Sequence, residues 1–271
     1  MNWLLQNFGK RVRFALENPL YTLSSLFDEL TLADEQFLGS ITGVPFRQIR
    51  GFLKEPFQDD SFFPSLQSAR AALQTQKIYS ADLYAKKTLL QYAVVRACQP
   101  KIIVETGVAN GVSSAYILRA LQANGGGTLY SIGLNDPEYL PPGKPLGWVV
   151  PQEFRPKWKL LVGDSRAILP GLLDELGSTD VFIHDSLHTY EHMFWEFRQA
   201  YPHLRSGGLL LSDDAKWNTA FPEFAREVAA PRARILRGVG FLQKTQIDSC
   251  QPRNSHSENP VNSDPKSGLG H

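Results

Sequence analysis

Little in this chain can be cross-linked. Only two of its 271 residues are cysteine, Cys98 and Cys250. They lie far apart, and Cys250 sits in a polar stretch, which excludes a disulfide framework and a cysteine-based metal site. The matching expectation is a reducing, cytoplasmic setting. Long apolar runs are also missing. The opening MNWLLQNFGKRVRFAL is interrupted by Asn, Gln, Lys and Arg, so it falls short of the about 20 apolar residues of a membrane span and of a signal-peptide core. It reads as an amphipathic helix, and no membrane partner is expected. Finally, charge of one sign is not in excess. Twenty-eight basic residues against 27 acidic ones leave a net +1, too little to gather nucleic acid. A small ligand held in a pocket suits this balance, and 42% hydrophobic content is enough for one large core with a smaller appended layer.

Residues 1–85 carry helical patterns broken at Asn18-Pro19, Gly43, Pro45, Pro56 and Pro64, with a helix start around Thr31 to Glu35. This predicts a helical N-terminal extension, serving either as a substrate-selecting lid or as a packing layer that could pair with a second copy of the chain. From residue 86 to 248 the pattern changes. A helix runs into Gln99-Pro100, and β-branched segments at 101–105, 128–132, 158–162, 181–184 and 208–212 then alternate with helices near 113–123, 167–176 and 190–204. A helix near 221–228 precedes two short strands around Gly238, the second of which can run antiparallel. Such alternation predicts an α/β domain, a mostly parallel sheet with helices on both faces, whose ligands gather at the carboxyl ends of the strands. Residues 249–271, rich in Ser, Pro, Asn and Gly, are expected to be a disordered tail.

The strongest local signal is Val104-Glu105-Thr106-Gly107-Val108-Ala109-Asn110-Gly111, followed by the helix opening Val112-Ser113-Ser114. A strand, a glycine turn and a helix in that order let backbone approach a bulky polar ligand without Cβ atoms in the way. A plain tight connection has the same pattern, and so does a dinucleotide site. The spacing here is Gly107-x-x-x-Gly111 rather than G-x-G-x-x-G, and Glu105 would repel a pyrophosphate while favouring a cationic group.

With these residues the chain resembles the class I S-adenosylmethionine-dependent methyltransferases, although Ala109 stands where their middle glycine is usual. The resemblance implies a Rossmann-like seven-stranded sheet with S-adenosylmethionine contacting Glu105, Thr106, Gly107, Asn110, Gly111 and Ser113. Two further segments extend it. In Gly163-Asp164-Ser165, Asp164 would accept from the adenine amine and Ser165 would position the ring; the same residues could simply cap the next helix. At the end of the second strand, Gly133 stands where the family places a ribose-gripping acid, which leaves that contact to Asn135 or Asp136.

The most informative constellation joins His184-Asp185-Ser186-Leu187-His188 to Ser212-Asp213-Asp214. Adjacent parallel strands would bring three carboxylates and a histidine to one rim, and acids so gathered need a cation, with hard oxygen donors favouring Mg2+. This part resembles the metal-dependent O-methyltransferases acting on sugar or antibiotic hydroxyls. The resemblance implies Asp185, Asp213 and Asp214 as metal ligands, His188 as general base, and Asp185 beside both cofactor and substrate. Solvated or substrate-orienting carboxylates are the alternative. His184, His188 and His192 cannot share one helical face, so zinc is not expected, and Phe194, Trp195 and Phe197 read as core. The functional expectation is methyl transfer to a hydroxyl of a small molecule. Its alternatives are a metal-independent O- or N-methyltransferase and a non-catalytic nucleoside-binding protein that keeps the fold.

Overall fold

A computed structural model describes residues 33–62, 64–66, 68–69 and 86–245. The proposed N-terminal amphipathic helix and the C-terminal tail lie outside them. The described chain begins with α1 (Ala33–Thr42), α2 (Phe46–Phe52), a 3-10 turn (Glu55–Gln58) and α3 (Lys86–Cys98). Then β1 (Ile102–Thr106), α4 (Val112–Ala123), β2 (Thr128–Gly133), a second 3-10 turn (Gln152–Lys157), β3 (Trp158–Val162), α5 (Ser165–Leu176) and β4 (Thr179–His184) follow. The chain closes with α6 (Tyr190–His203), β5 (Leu204–Ser212), α7 (Ala220–Glu227), β6 (Ala233–Leu236) and β7 (Val239–Gln243).

The seven strands form one sheet in the order β3-β2-β1-β4-β5-β7-β6. β1 to β5 are parallel, and β7 inserts antiparallel between β5 and β6. The α/β, mostly parallel architecture with one antiparallel strand is therefore the one the sequence predicts. Alternate residues of each strand serve opposite faces, as the two-residue period of a strand requires. Ile103, Leu129, Val181, Ile183 and Leu211 pack with α1 to α4, whereas Val104, Ile132, Phe182, Leu210 and Leu242 pack with α5 to α7. Leu38, Ile41, Ile49, Phe52 and Phe62 belong to the first of these cores, so the described part of the N-terminal region is a packing layer continuous with the sheet. Arg96 on Glu55 at 2.6 Å and Arg119 on Asp59 at 2.6 Å tie the same layer to α3 and α4. No helix among the described residues is long and apolar enough to cross a membrane.

Between β1 and β4 the chain reverses its direction of travel across the sheet. Such a reversal is where a doubly wound sheet places its ligand crevice, at the carboxyl ends of the strands. Gly107 holds its two walls together. At φ +87° it sits where a Cβ would lie 1.8 Å from the Asp185 carbonyl oxygen, while the Asp185 N–H donates to the Thr106 carbonyl at 2.8 Å. Gly111, at φ +88°, has its missing Cβ 2.7 Å from the Gly147 Cα. These glycines bring loop against loop, a different use from the ligand approach that the sequence suggests.

Gly107→Ala must therefore force the β1 and β4 loops apart. Its expected cost exceeds about 3 kcal/mol in urea unfolding. Gly125→Ala serves as control: its φ is also positive, at +75°, but no atom lies within 4 Å of the added methyl, so about 1 kcal/mol of backbone cost is expected. Equal losses in the two variants would show that the close approach at Gly107 is unimportant.

Candidate active site

Under the crevice lies a buried carboxylate that four side chains reach. Glu196, on α6 and 0% exposed, accepts from Thr106 Oγ1 at 2.6 Å and Ser186 Oγ at 2.9 Å. It also pairs with His184 Nδ1 at 2.6 Å and His192 Nε2 at 2.9 Å. His192 Nε2 lies 3.1 Å from Ser165 Oγ as well. Through this one residue the loops after β1, β3 and β4 are fixed relative to each other. Burial alone raises the Glu196 pKa, but the hydrogen bonds from His184, His192 and Thr106 outweigh it and hold the carboxyl well below its ordinary range.

Above Glu196, the ends of β4 and β5 meet in register, His184 beside Ser212, and deliver the acids and the histidine to one rim. His188 Nε2 is 3.7 Å from Asp185 Oδ1 and 3.7 Å from Asp214 Oδ2. Its ring stacks on Trp217 at 5.6 Å and meets the His184 ring edge-on at 5.3 Å. Burial and the neighbouring His184 lower the His188 pKa despite the nearby acids, which favours a neutral imidazole. Asp185 is pushed well above the usual carboxylate range by burial and by the nearby charge of Asp213. Asp213 has a further partner that nothing in the sequence singles out: Lys87 Nζ, from the first turn of α3, lies 2.5 Å from Asp213 Oδ2. Burial works against the Lys87 charge, yet Asp213 more than offsets it and raises the lysine pKa. Among the described residues no group of three or more His, Cys, Asp or Glu side chains is arranged to hold a metal ion. The three carboxylates expected as Mg2+ ligands share one rim, where an ammonium engages Asp213 and an imidazole faces Asp185 and Asp214.

Comparison with known proteins agrees with this geometry. Residues 104–215, from β1 to the turn after β5, match the family model described as "Methyltransferase domain". Over that stretch the chain is similar to a methyltransferase domain. Demethylmacrocin O-methyltransferase from Streptomyces fradiae is 35% identical over 107 residues, which are 38% of this chain and 25% of that protein. The chain thus matches only about a quarter of that curated relative. The cofactor-bound structure of Rv0187 from MTB superposes with a TM-score of 0.52 at 16% identity, covering 72% of this chain and 95% of that one. The SAH-bound Podospora anserina methyltransferase PaMTH1 does so with a TM-score of 0.50 at 15% identity, covering 69% and 88%. At such identities the likeness concerns the fold.

The residues expected to bind cofactor divide into two groups. Several are occupied by the protein itself. Both oxygens of Glu105, 0% exposed, are taken, by Ser113 Oγ at 2.8 Å and by Ser114 and Ser131 Oγ at 2.6 and 2.8 Å. Burial raises its pKa. Glu105 and Ser113 thus buttress the turn from within. Thr106 is bonded to Glu196, and Ser165 is buried against His192. Asn110 accepts from Trp148 Nε1 at 2.7 Å and donates to the Tyr139 carbonyl at 3.2 Å, which pins the loop between β2 and β3. Asp164 caps α5 by accepting from the Arg166 N–H at 2.8 Å, as its alternative role foresees.

The second group faces outward. Asn135 is exposed and Asp136 half-buried at the β2 rim, where Asp136 also accepts from the Glu138 N–H at 2.9 Å. Gly163, with φ +153°, extends β3 by donating to the Gly133 carbonyl at 2.9 Å. Gly133 itself is buried: a Cβ there would meet Leu146 at 3.1 Å and Val108 at 3.2 Å. A side chain at this position would have to displace Leu146 or Val108. Leu134, just after β2, and Val162, at the end of β3 and in register with Gly133, are both exposed at this rim.

Replacing Glu196 with Gln removes the charge that joins the three loops, and a loss of about 3 kcal/mol at neutral pH is expected. Because the folded pKa is depressed, the carboxylate contributes its stability above the ordinary value of 4.5 and loses it as pH falls from there toward the folded value. The stability gap between wild type and Glu196→Gln should therefore narrow on acidification below that pH, as read from urea midpoints. A gap independent of pH would mean that the ionised form of Glu196 is not what joins the loops.

Proposed function

We propose that this chain is an S-adenosylmethionine-dependent O-methyltransferase of a small hydroxylated molecule, with His188 as general base. The observation that carries the proposal is the placement of His188, held by Trp217 and His184 at the carboxyl ends of β4 and β5 beside the glycine turn. The β2–β3 rim is assigned to the nucleoside, with exposed Leu134 or Val162 available to the base and Asn135 and Asp136 to the ribose hydroxyls. The 35% identity to an O-methyltransferase supports oxygen as the acceptor atom.

When bound, S-adenosylmethionine supplies a methyl group on a sulfonium sulfur, to which the bonding electron pair returns as the new C–O bond forms. The protein's part is to hold nucleophile and methyl in line and to take one proton. His188 Nε2 would receive that proton from the acceptor hydroxyl, and Asp185 and Asp214, each 3.7 Å away, stabilise the imidazolium that results. His188 then returns the proton to water. The products are a methyl ether and S-adenosylhomocysteine. The donor set does not fit Mg2+ as it stands, since Lys87 engages Asp213, so no step is assigned to a metal.

Calorimetry with S-adenosylhomocysteine and mass spectrometry of a hydroxylated metabolite panel incubated with S-adenosylmethionine test the proposal. His188→Gln should lower methyl transfer by about 10²–10⁴-fold while changing S-adenosylhomocysteine affinity less than about threefold. Tight product binding with no acceptor methylated by wild type would favour a non-catalytic nucleoside-binding protein, and unimpaired turnover in His188→Gln would remove His188 as base.

A further inference from the structure

We propose that the Lys87 ammonium, and not a divalent metal, is the resident cation of the acidic rim formed by Asp185, Asp213 and Asp214. Three carboxylates brought to one rim repel each other and require positive charge nearby. Lys87 arrives from α3, 126 positions earlier in the chain than Asp213, and makes the one strong contact there, 2.5 Å to Asp213 Oδ2. The Asp213 side chain is 4% exposed. A carboxylate so far from water is stable only when paired, and among the described residues Lys87 is the cation paired with it.

The other two acids lie near enough to act on the Lys87 charge, but their close polar neighbour is His188. Asp185 and Asp214 each place an oxygen 3.7 Å from His188 Nε2, and Asp214 does so from a left-handed backbone at φ +46°. Binding a divalent ion through Asp213 and its neighbours would require the ammonium to withdraw, since two cations cannot share that carboxylate without strong repulsion. The second oxygen, Asp213 Oδ1, is buried and makes no hydrogen bond to any described residue. Removing Lys87 would free Oδ2 as well, so that both Asp213 oxygens became available to a metal.

Lys87 is thus a charge-balancing, positioning residue. The role assigned to its charge, easing the build-up of negative charge on the acceptor oxygen while His188 takes the proton, rests on the methyltransferase proposal above. The occupancy of the rim does not, and it can be tested without any methyl acceptor.

The test uses the full chain and Mn2+ alone, with binding followed by the electron paramagnetic resonance signal of the free ion. Wild type and Lys87→Arg should show no saturable site that depends on Asp213. Lys87→Met should gain one site, at least about a hundredfold tighter than any in wild type, and Asp213→Asn in the same background should abolish it. Lys87→Gln, with thermal melting followed by circular dichroism, replaces Lys87→Met if that variant does not fold. A saturable Mn2+ site in wild type that Asp213→Asn removes would overturn the proposal. So would a folded Lys87→Met or Lys87→Gln variant that gains no site. Neither result would touch the methyltransferase proposal, which fails only if the cofactor or methyl transfer experiments fail.

Discussion

The crevice depends on an ionised carboxylate buried beneath it. Irregular loops at the end of a parallel sheet have few ladder hydrogen bonds to hold them, so their relative positions must be set by side chains. Glu196 does this for three loops at once, through Thr106 after β1, His184 and Ser186 around the end of β4, and His192, which reaches Ser165 after β3. Burying a charge is costly when it is unpaired, but four donors offset the lost hydration, and in a low-dielectric interior each hydrogen bond is strengthened. The same network therefore costs little when complete and much when one partner is missing, which makes the rim rigid.

The distribution of polar residues over this framework explains which parts of the site could be read from sequence. Asp185, His188, Asp213 and Asp214 were legible because each lies within four residues of the end of β4 or β5, and adjacent parallel strands bring the loops that follow them together. Glu196 was not legible. It lies within an amphipathic helix where a charged residue ordinarily marks the solvent face, and its burial arises only once α6 has docked with that face against the sheet. Lys87 was hidden for a related reason, since it opens a helix on the other side of β1 and reaches Asp213 only through tertiary packing. Glu105 was legible as a special residue but not in its role. A carboxylate at a strand end signals a ligand when its surroundings are open, whereas Ser113, Ser114 and Ser131 close around this one.

The N-terminal helices show a comparable limit. Prolines and glycines marked their ends, and the sequence left open whether they form a lid or a packing layer. Leu38, Ile49, Phe52 and Phe62 join the core on one face of the sheet, and the Arg96–Glu55 and Arg119–Asp59 pairs clasp the same layer. Hydrophobic pattern alone cannot distinguish these outcomes, because an apolar stripe is equally suited to a permanent core and to a closing surface.

His188 is held in an unusual way for a candidate base. A histidine in this role is commonly oriented by a hydrogen bond at its second nitrogen, which also fixes its tautomer. Here Nδ1 is buried and makes no hydrogen bond to any described residue, and orientation comes from packing: His184 edge-on to one side and the Trp217 ring stacked parallel on it. That stack depends on the turn after β5. Asp214 is left-handed at φ +46°, its carbonyl accepts from the Trp217 N–H at 2.8 Å, and the Ala215 N–H is anchored on the Gly238 carbonyl at 2.8 Å. A non-glycine residue in that conformation costs about 1 kcal/mol or more, so the turn holds a strained backbone while it covers the imidazole. The same strained residue sets its carboxylate 3.7 Å from Nε2. The acid that would stabilise the charged ring and the aromatic surface that aligns it are thus delivered by one short turn, and any change that relaxes Asp214 should disturb both together.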